Sequence, residues 1–412
     1  MPPVVIVGGG VIGTLAAYYL AKSGRRVTIL ERAAFGAACS HGNCGYVCPS
    51  HVLPLAVPGA LTSTLKTLFT RNSPLKVRPW EVLKNLRWFL GFARKCNDRD
   101  MLSAATGIQA LLTSSRRLYD DLLAAEKLDC EWDDTGLMFV FQTAKAFEHY
   151  AHVDDLLRIR FDTPAKRFDA AQLLGAEPAL KPGSVSGGYL YEGDAQLRPD
   201  VLLRELRAKL NVSIVENCEV TGLRVEAGKA VAVRTTQGEV AAAAVVFAAG
   251  AWTPQLNREL GCKLPIIPGK GYSLTMPRPA VCPKFPMIFE EHRVAVSPFR
   301  TGYRIGSTME FAGYDASMNP KRLKLLTDGA AAYLREPECL PVQEQWWGWR
   351  PMVYDGKPII DRAPVAPNVL IAAGHGMLGL SMATGTGLLV AQILNAEKPH
   401  IDPQPYALAR FG

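Results

Sequence analysis

The sequence predicts a protein of mixed class, α/β combined with α+β. Two runs, Val4-Val5-Ile6-Val7 and Val27-Thr28-Ile29-Leu30, are β-branched with little polar alternation and flank a segment of helical period. Runs of that kind mark strands buried on both faces of a parallel sheet. A distant region, Met287 to Thr308, instead alternates like antiparallel strands with one exposed face. The 412 residues, 48% hydrophobic and 20% charged, suffice for two or three domains and exclude a disordered chain, a coiled coil and a collagen-like repeat.

Each element of the first unit has a physical task. Gly8-Gly9-Gly10-Val11-Ile12-Gly13 follows the first strand and fits G-x-G-x-x-G. Gly8 permits a tight turn, Gly10 admits the backbone to a pyrophosphate, and Gly13 lets helix and strand pack closely. Ile12, Leu15, Ala16, Tyr19 and Leu20 recur at helical spacing, and Gly24 stands where a helix ends. The N–H groups of Val11 and Ile12 would open the helix toward the phosphates. Glu31 closes the second strand about 20 residues on, placed to accept from a ribose hydroxyl, with Arg32 beside it. An acid at that position argues for NAD or FAD over NADP. These observations predict a Rossmann-type domain.

The motif recurs at Gly374-His375-Gly376-Met377-Leu378-Gly379, after a strand at Val369 to Ala373 and before a helix from Ser381 to Asn395. No second strand follows, so this is not another complete unit. Between the two lies Val245-Val246-Phe247-Ala248-Ala249-Gly250-Ala251-Trp252, a further buried strand ending in glycine. Three strand-then-glycine segments converging on one site suit an extended, permanently bound cofactor. A helix N-terminus near Leu380 would stabilise negative charge on a reduced flavin, whereas NAD would need the first unit alone.

This combination resembles the FAD-dependent D-amino-acid oxidase/dehydrogenase superfamily, and most of all the bacterial D-amino-acid dehydrogenases among relatives such as glycine and sarcosine oxidases. Four segments carry the resemblance along the whole chain. They are the amino-terminal glycine motif; Gly269-Lys270-Gly271-Tyr272-Ser273-Leu274-Thr275; Trp349-Arg350-Pro351-Met352 with Asp355-Gly356-Lys357-Pro358; and Ala373-Gly374-His375-Gly376 with its helix. The resemblance implies a discontinuous FAD-binding domain from residues 1–75, 195–265 and 345–412. A substrate-binding domain with a large mixed or antiparallel sheet would come from 76–194 and 266–344.

It also implies site roles. Arg350 would bind the substrate carboxylate, its fork matching two oxygens in a way that lysine cannot; the competing assignment pairs it with Asp355 or Asp361. Tyr272 would line the substrate site and help hold the carboxylate, with His375 and Met377 nearby. Met377 stands where the glycine oxidase type has a second arginine, which makes this pocket more apolar. The loop Cys39-Ser40-His41-Gly42-Asn43-Cys44-Gly45 falls where the family wraps flavin and pyrophosphate. The cofactor-binding set is completed by Val220, Ala249, Gly250, Trp252, Gly374, Gly376, Leu378, Gly379 and Leu380. Cys39, Cys44 and Cys48 with His41 and His51 match no standard metal or cluster spacing, so no metal is expected.

The implied reaction is oxidative deamination of a D-amino acid. Hydride would pass from Cα of the neutral amine to flavin N5, leaving an imino acid that hydrolyses to a 2-oxo acid; a cyclic substrate such as D-proline or hydroxy-D-proline would stop at the imine. No side-chain general base is obligatory. Electrons would pass to a quinone or similar acceptor. The alternatives are an oxidase of glycine, sarcosine or D-amino acids using O₂, and an NAD-dependent dehydrogenase.

The charge is +8, from 46 Lys and Arg against 38 Asp and Glu. With no dense basic run, nucleic acid is not an expected partner. Nine cysteines without framework spacing suit a reducing compartment, and the Met-Pro-Pro start leads straight into an apolar run, so a cytoplasmic protein is expected. Trp80 to Lys95 reads as an amphipathic helix that would pack on its own domain or dock on an anionic membrane. The charge-free stretch from Ala363 to Ala396 is too glycine-rich for a membrane span and reads as strand, turn and helix.

Overall fold

The computed structural model describes residues 2–61 and 73–412; part of the first expected cofactor stretch, residues 62–72, lies outside the described residues. The strands Val4–Val7, Val27–Leu30, Ser213–Val215, Ala244–Phe247 and Val369–Ala373 pair in parallel, with Ile359–Arg362 antiparallel at one edge. The order puts Val369–Ala373, Ala244–Phe247, Val4–Val7 and Val27–Leu30 side by side. Their carboxyl ends, and the glycines that follow, therefore meet at one sheet edge. Ligands of open α/β sheets bind at such an edge.

Alternate residues of these strands face two different layers. Val4, Ile6 and Ile29 pack with Ala16 and Leu20 of the helix Val11–Lys22 and with Leu389 and Val390 of the helix Ala383–Asn395. Val5, Val7 and Val245 pack with Val220, Leu223 and Val233 of a three-stranded antiparallel sheet formed by Val220–Glu226, Lys229–Thr235 and Gly238–Ala241. Two covered faces explain why the strands read as unbroken apolar runs.

A second, nine-stranded mixed sheet runs in the order Glu344–Val353, Ile266–Met276, Tyr303–Phe311, Val294–Ser297, Met287–Phe289, Leu137–Phe141, Gly187–Tyr191 and Lys166–Asp169, with Leu75–Val77 added beside Tyr303–Phe311. Tyr272, Leu274, Val294, Val296 and Ile305 pack on one face against Leu323 and Leu326 of the helix Pro320–Ala331. The opposite face turns toward the glycine-bearing edge of the parallel sheet.

Three expectations need correction. The alternation over Met287 to Thr308 does not mark an exposed face, because Val294–Ser297 is buried throughout. Its Ala295 and Ser297 side lies under the loop of Cys44, whose carbonyl accepts from Ser297 Oγ. Residues 345–353, assigned above to the cofactor domain, belong to the strand Glu344–Val353 of the larger sheet, which has ten paired positions with Ile266–Met276. The amphipathic segment is two helices, Pro79–Lys84 and Leu86–Lys95, parted at Asn85, whose side chain caps the Glu81 carbonyl. Its aromatic residues Trp88, Phe89 and Phe92 turn inward while Trp80 and Leu83 remain 71% and 66% exposed.

Candidate active site

A cavity of about 1990 Å³ lies between the two sheets. Pockets for one drug-sized ligand hold roughly 300–1,000 Å³, so this one has room for a large cofactor and a substrate together. Of the sequence-predicted residues, Gly8, Gly10, Val11, Ile12, Glu31, Arg32, Ser40, Gly42, Asn43, Cys44, Val220, Ala249, Gly250, Trp252, Gly376, Leu378, Gly379 and Leu380 line it, as do Arg350, Tyr272, His375 and Met377.

Gly13, His41, Gly45 and Gly374 do not line it. Gly13 and Gly45 serve close packing: a Cβ on Gly13 would stand 2.0 Å from the Gly8 oxygen, and one on Gly45 would stand 1.9 Å from the Leu197 oxygen. Gly374 takes φ +85° against Val353. His41 turns away to Glu344, with Nε2 2.7 Å from Oε1.

At the nucleotide end, the buried Glu31 carboxylate accepts from Gly9 N–H at 2.8 Å and Ala33 N–H at 3.0 Å. This fixes the acid at the mouth of the glycine turn. Gly8 adopts φ +111°, where a side chain would also strike the Ala248 carbonyl at 2.6 Å. Arg32 lies over the Trp252 ring at 4.5 Å, and Ser40 Oγ accepts from Val11 N–H at 3.1 Å.

The loop Cys39–Gly45 is held from the larger sheet by a residue absent from the predicted set. Arg304 is fully buried and donates to the carbonyls of His41 (3.1 Å) and Asn43 (2.7 Å) and to Thr275 Oγ1 (2.9 Å). Ser273 Oγ donates to the Gly42 carbonyl at 2.9 Å, and the Trp346 ring covers the space a Gly42 side chain would need. A lone arginine in a strand carries no local signal of this tertiary task.

Arg350 reaches across the strand Ile266–Met276, and a Cβ on Gly271 would stand 2.5 Å from its guanidinium carbon. It donates to the Thr308 carbonyl at 2.7 Å and lies 3.5 Å from that of Ser307. Both carbonyls belong to a strand irregularity with φ of +112° at Ser307 and +50° at Thr308. Among the described residues no carboxylate pairs with Arg350; its titratable neighbours are the Cys39 and Cys44 thiols, which burial keeps neutral, and burial lowers the Arg350 pKa. Asp355 is bound to Arg410 at 2.8 Å, and Asp361 accepts from the Arg362 and Leu408 N–H groups. The competing pairing is therefore absent.

Two predicted substrate residues line the cavity but have polar atoms engaged by other partners. Tyr272 sits next to Gly271 in the strand, so its side chain leaves the opposite face; its hydroxyl donates to Glu310 Oε2 at 2.7 Å. Its hydroxyl proton is thus engaged by Glu310. The His375 ring turns into the helix Ala383–Asn395, with Nε2 3.0 Å from Thr386 Oγ1, while Met377 stays 39% exposed.

Burial drops the His375 pKa from 6.5 to about 3. Below pH 6.5 the unfolded chain takes up a proton that the folded ring refuses, so His375 contributes stability above that pH and loses it on acidification. The expected slope is about 1.4 kcal/mol per pH unit over that window. In thermal melts from pH 7 to 5, His375→Gln should lose less Tm than the parent; equal losses would assign the acid sensitivity to other groups.

Comparison with known proteins decides the family. The family described as "FAD dependent oxidoreductase" matches residues 3–393. The chain belongs to it. It is 32% identical to a D-amino acid dehydrogenase of Xanthobacter autotrophicus over 418 residues, covering 99% of each chain. It is 30% identical to one of Granulibacter bethesdensis, again covering 99% of each. Among solved structures, glycine oxidase from Bacillus cereus shares the fold with TM-score 0.77 at 21% identity, covering 97% of both chains. L-proline dehydrogenase from P. horikoshii superposes with TM-score 0.75 at 18% identity, covering 100% of this chain and 97% of the other.

Membership of this FAD-dependent family removes the NAD alternative, and the site fits the larger cofactor. Glycines meet the cavity from three adjacent strand ends: Gly10 after Val4–Val7, Gly250 after Ala244–Phe247, and Gly376 after Val369–Ala373. Gly250 and Gly376 both have φ +55°, and no atom lies within 4 Å of a Cβ built on Gly250. In this oxidoreductase Glu31 and the Gly10–Ile12 turn would hold the nucleotide half, and the loop of Ser40 to Cys44 with Gly376 to Leu380 would hold the flavin half.

Proposed function

We propose that the protein oxidises the Cα–N bond of a D-amino acid and passes the electrons to a quinone. The observation that carries this reading is Arg350: a partly buried guanidinium with no acidic partner among the described residues, on the wall of the cavity that fits FAD. A buried charge is retained only where something pairs with it, and a substrate carboxylate matches its fork. The bound flavin supplies the acceptor for the hydrogen and electron pair removed from Cα. Arg350 binds and orients the carboxylate, the Ser307 and Thr308 carbonyls hold the guanidinium in place, and its positive charge favours the neutral amine that the reaction requires. The D-configuration is supported by the full-length relatives named D-amino acid dehydrogenase.

A quinone is supported by the apolar lane of the cavity. Leu75, Trp88, Phe89, Phe92, Met309 and Phe311 line it, and the helices carrying Trp88 present Trp80, Leu83, Leu86 and Leu90 to solvent. With Arg87, Arg94 and Lys95 on the same pair of helices, this surface suits peripheral contact with an anionic membrane. Among the described residues no helix is long and apolar enough to cross one.

The test is steady-state turnover of a D-amino acid with a soluble quinone beside an oxygen electrode. Quinone reduction without comparable O₂ uptake is the expected result, and stoichiometric peroxide would make the protein an oxidase. Leu83→Glu combined with Leu86→Glu should weaken sedimentation with phosphatidylglycerol vesicles by about 10-fold or more while leaving soluble-quinone turnover unchanged. Unaltered sedimentation would remove the membrane surface from these helices.

A further inference from the structure

The cavity continues beyond Arg350 across the larger sheet, along a row fixed by strand register. Gly306 pairs with Ala295, Ala295 with Ile288, and Ile288 with Phe139. At about 4.8 Å per strand, Phe139 lies roughly 14 Å from Gly306. Cys44 Sγ covers Gly306, 2.7 Å from where a Cβ would stand, and the cavity passes over Cys44 and the small Ala295, leading away from the carboxylate site. The far end of that passage is where a substrate's side chain would extend.

His51 stands there. Its ring centroid is 5.3 Å from that of Phe139, and it lines the cavity. Behind it, Nδ1 lies 3.5 Å from Ser50 Oγ. Ser50 in turn donates to Asp194 Oδ2 at 2.5 Å, and Asp194 Oδ1 accepts from Ser50 N–H at 3.0 Å. Burial raises the Asp194 pKa to about 7; above that pH the carboxylate holds the Ser50 proton, and the Ser50 oxygen can accept from Nδ1–H, which leaves the lone pair on Nε2. Among the described residues Nε2 has no hydrogen-bond partner, and enclosure lowers the imidazole pKa to about 4, which keeps it neutral. Of the other polar groups at this end, Glu290 pairs with Arg293 at 2.8 Å and Tyr150 shares a hydrogen bond with Tyr191 at 3.1 Å, while the His149 ring, which also lines the cavity, packs on that of His152.

We propose that His51 determines side-chain specificity: its Nε2 accepts a hydrogen bond from a hydroxyl, amide N–H or ammonium group at the far end of the substrate's side chain. The inference rests on the amino-acid reading above. Ser50 and Asp194 are positioning residues that fix which imidazole nitrogen accepts. An apolar side chain of equal length would leave Nε2 unpaired in an enclosed site, and that mismatch is what discriminates.

The test is kcat/KM on matched pairs with long side chains: D-glutamine with D-norleucine, and D-lysine with D-norleucine. The holoenzyme should favour the donor-bearing member of at least one pair by about 10–100-fold, and the preferred pair identifies the donor type. His51→Leu should bring that ratio near one while the apolar member stays within about 3-fold of the parent. Ser50→Ala should raise KM for the donor-bearing substrate alone, with kcat and the apolar substrate's KM unchanged. A parent ratio near one for every pair, or a parent ratio that survives His51→Leu, overturns the assignment. If the parent oxidises no D-amino acid, the amino-acid reading fails and takes this one with it; activity with an unchanged ratio sinks this one alone.

Discussion

Arg350→Leu is expected to lower kcat/KM for the amino-acid substrate by about 10³-fold or more, chiefly through KM. Leucine replaces only the inner part of the side chain, leaves the space over Gly271 open and offers neither charge nor donor. The loss comprises at least two charge-assisted hydrogen bonds, each contributing about 1.5–3 kcal/mol. Arg350→Lys should recover only part of it, because an ammonium cannot make the paired contact and would not reach the Thr308 carbonyl with the same geometry. Steady-state kinetics of the three proteins, each with its flavin content measured, checks this. A leucine variant within about tenfold of the parent would place the carboxylate on another residue.

Gly13→Val should abolish cofactor retention. A Cβ at position 13 would stand 2.0 Å from the Gly8 oxygen and 3.2 Å from Ile6 Cγ2, so the helix Val11–Lys22 must move off the strand Val4–Val7. That shift carries the Gly10–Ile12 N–H groups away from the phosphates they would bind. Overpacking of this kind costs roughly 1–3 kcal/mol, while the displaced turn removes cofactor affinity outright. The ratio of flavin to protein absorbance after purification should fall close to zero, with far-ultraviolet circular dichroism still reporting a folded chain. Parent-like flavin content would show that the close approach of helix and strand is dispensable.

The parallel sheet was legible because its signals are local. Val4–Val7, Ala244–Phe247 and Val369–Ala373 are apolar on both faces, and each is followed by a glycine that marks the ligand edge. The motif singled out Arg350, which stands on the cavity wall. The rest depended on contacts that no local pattern encodes. Arg304 is buried because loop carbonyls from residues 41 and 43 descend on it, more than 250 positions away. Tyr272 and Gly271 are neighbours in sequence, but strand geometry sends them to opposite faces, and only the pairing with Glu344–Val353 says which face carries Arg350. His375 follows a glycine in the cofactor motif and lines the cavity, yet its Nε2 is engaged by the Thr386 hydroxyl of the following helix. His51 had been weighed only as a metal ligand; its neighbours Asp194 and Phe139 come from distant parts of the chain.

Anaerobic titration of the purified protein with matched D- and L-amino acids, proline and hydroxyproline included, tests the central claim most directly. The account predicts visible flavin absorption as isolated, complete bleaching by at least one D-amino acid, no bleaching by its L-enantiomer, and loss of the response in Arg350→Leu. A flavin-loaded protein that no amino acid bleaches, or that an L-amino acid alone bleaches, would contradict it.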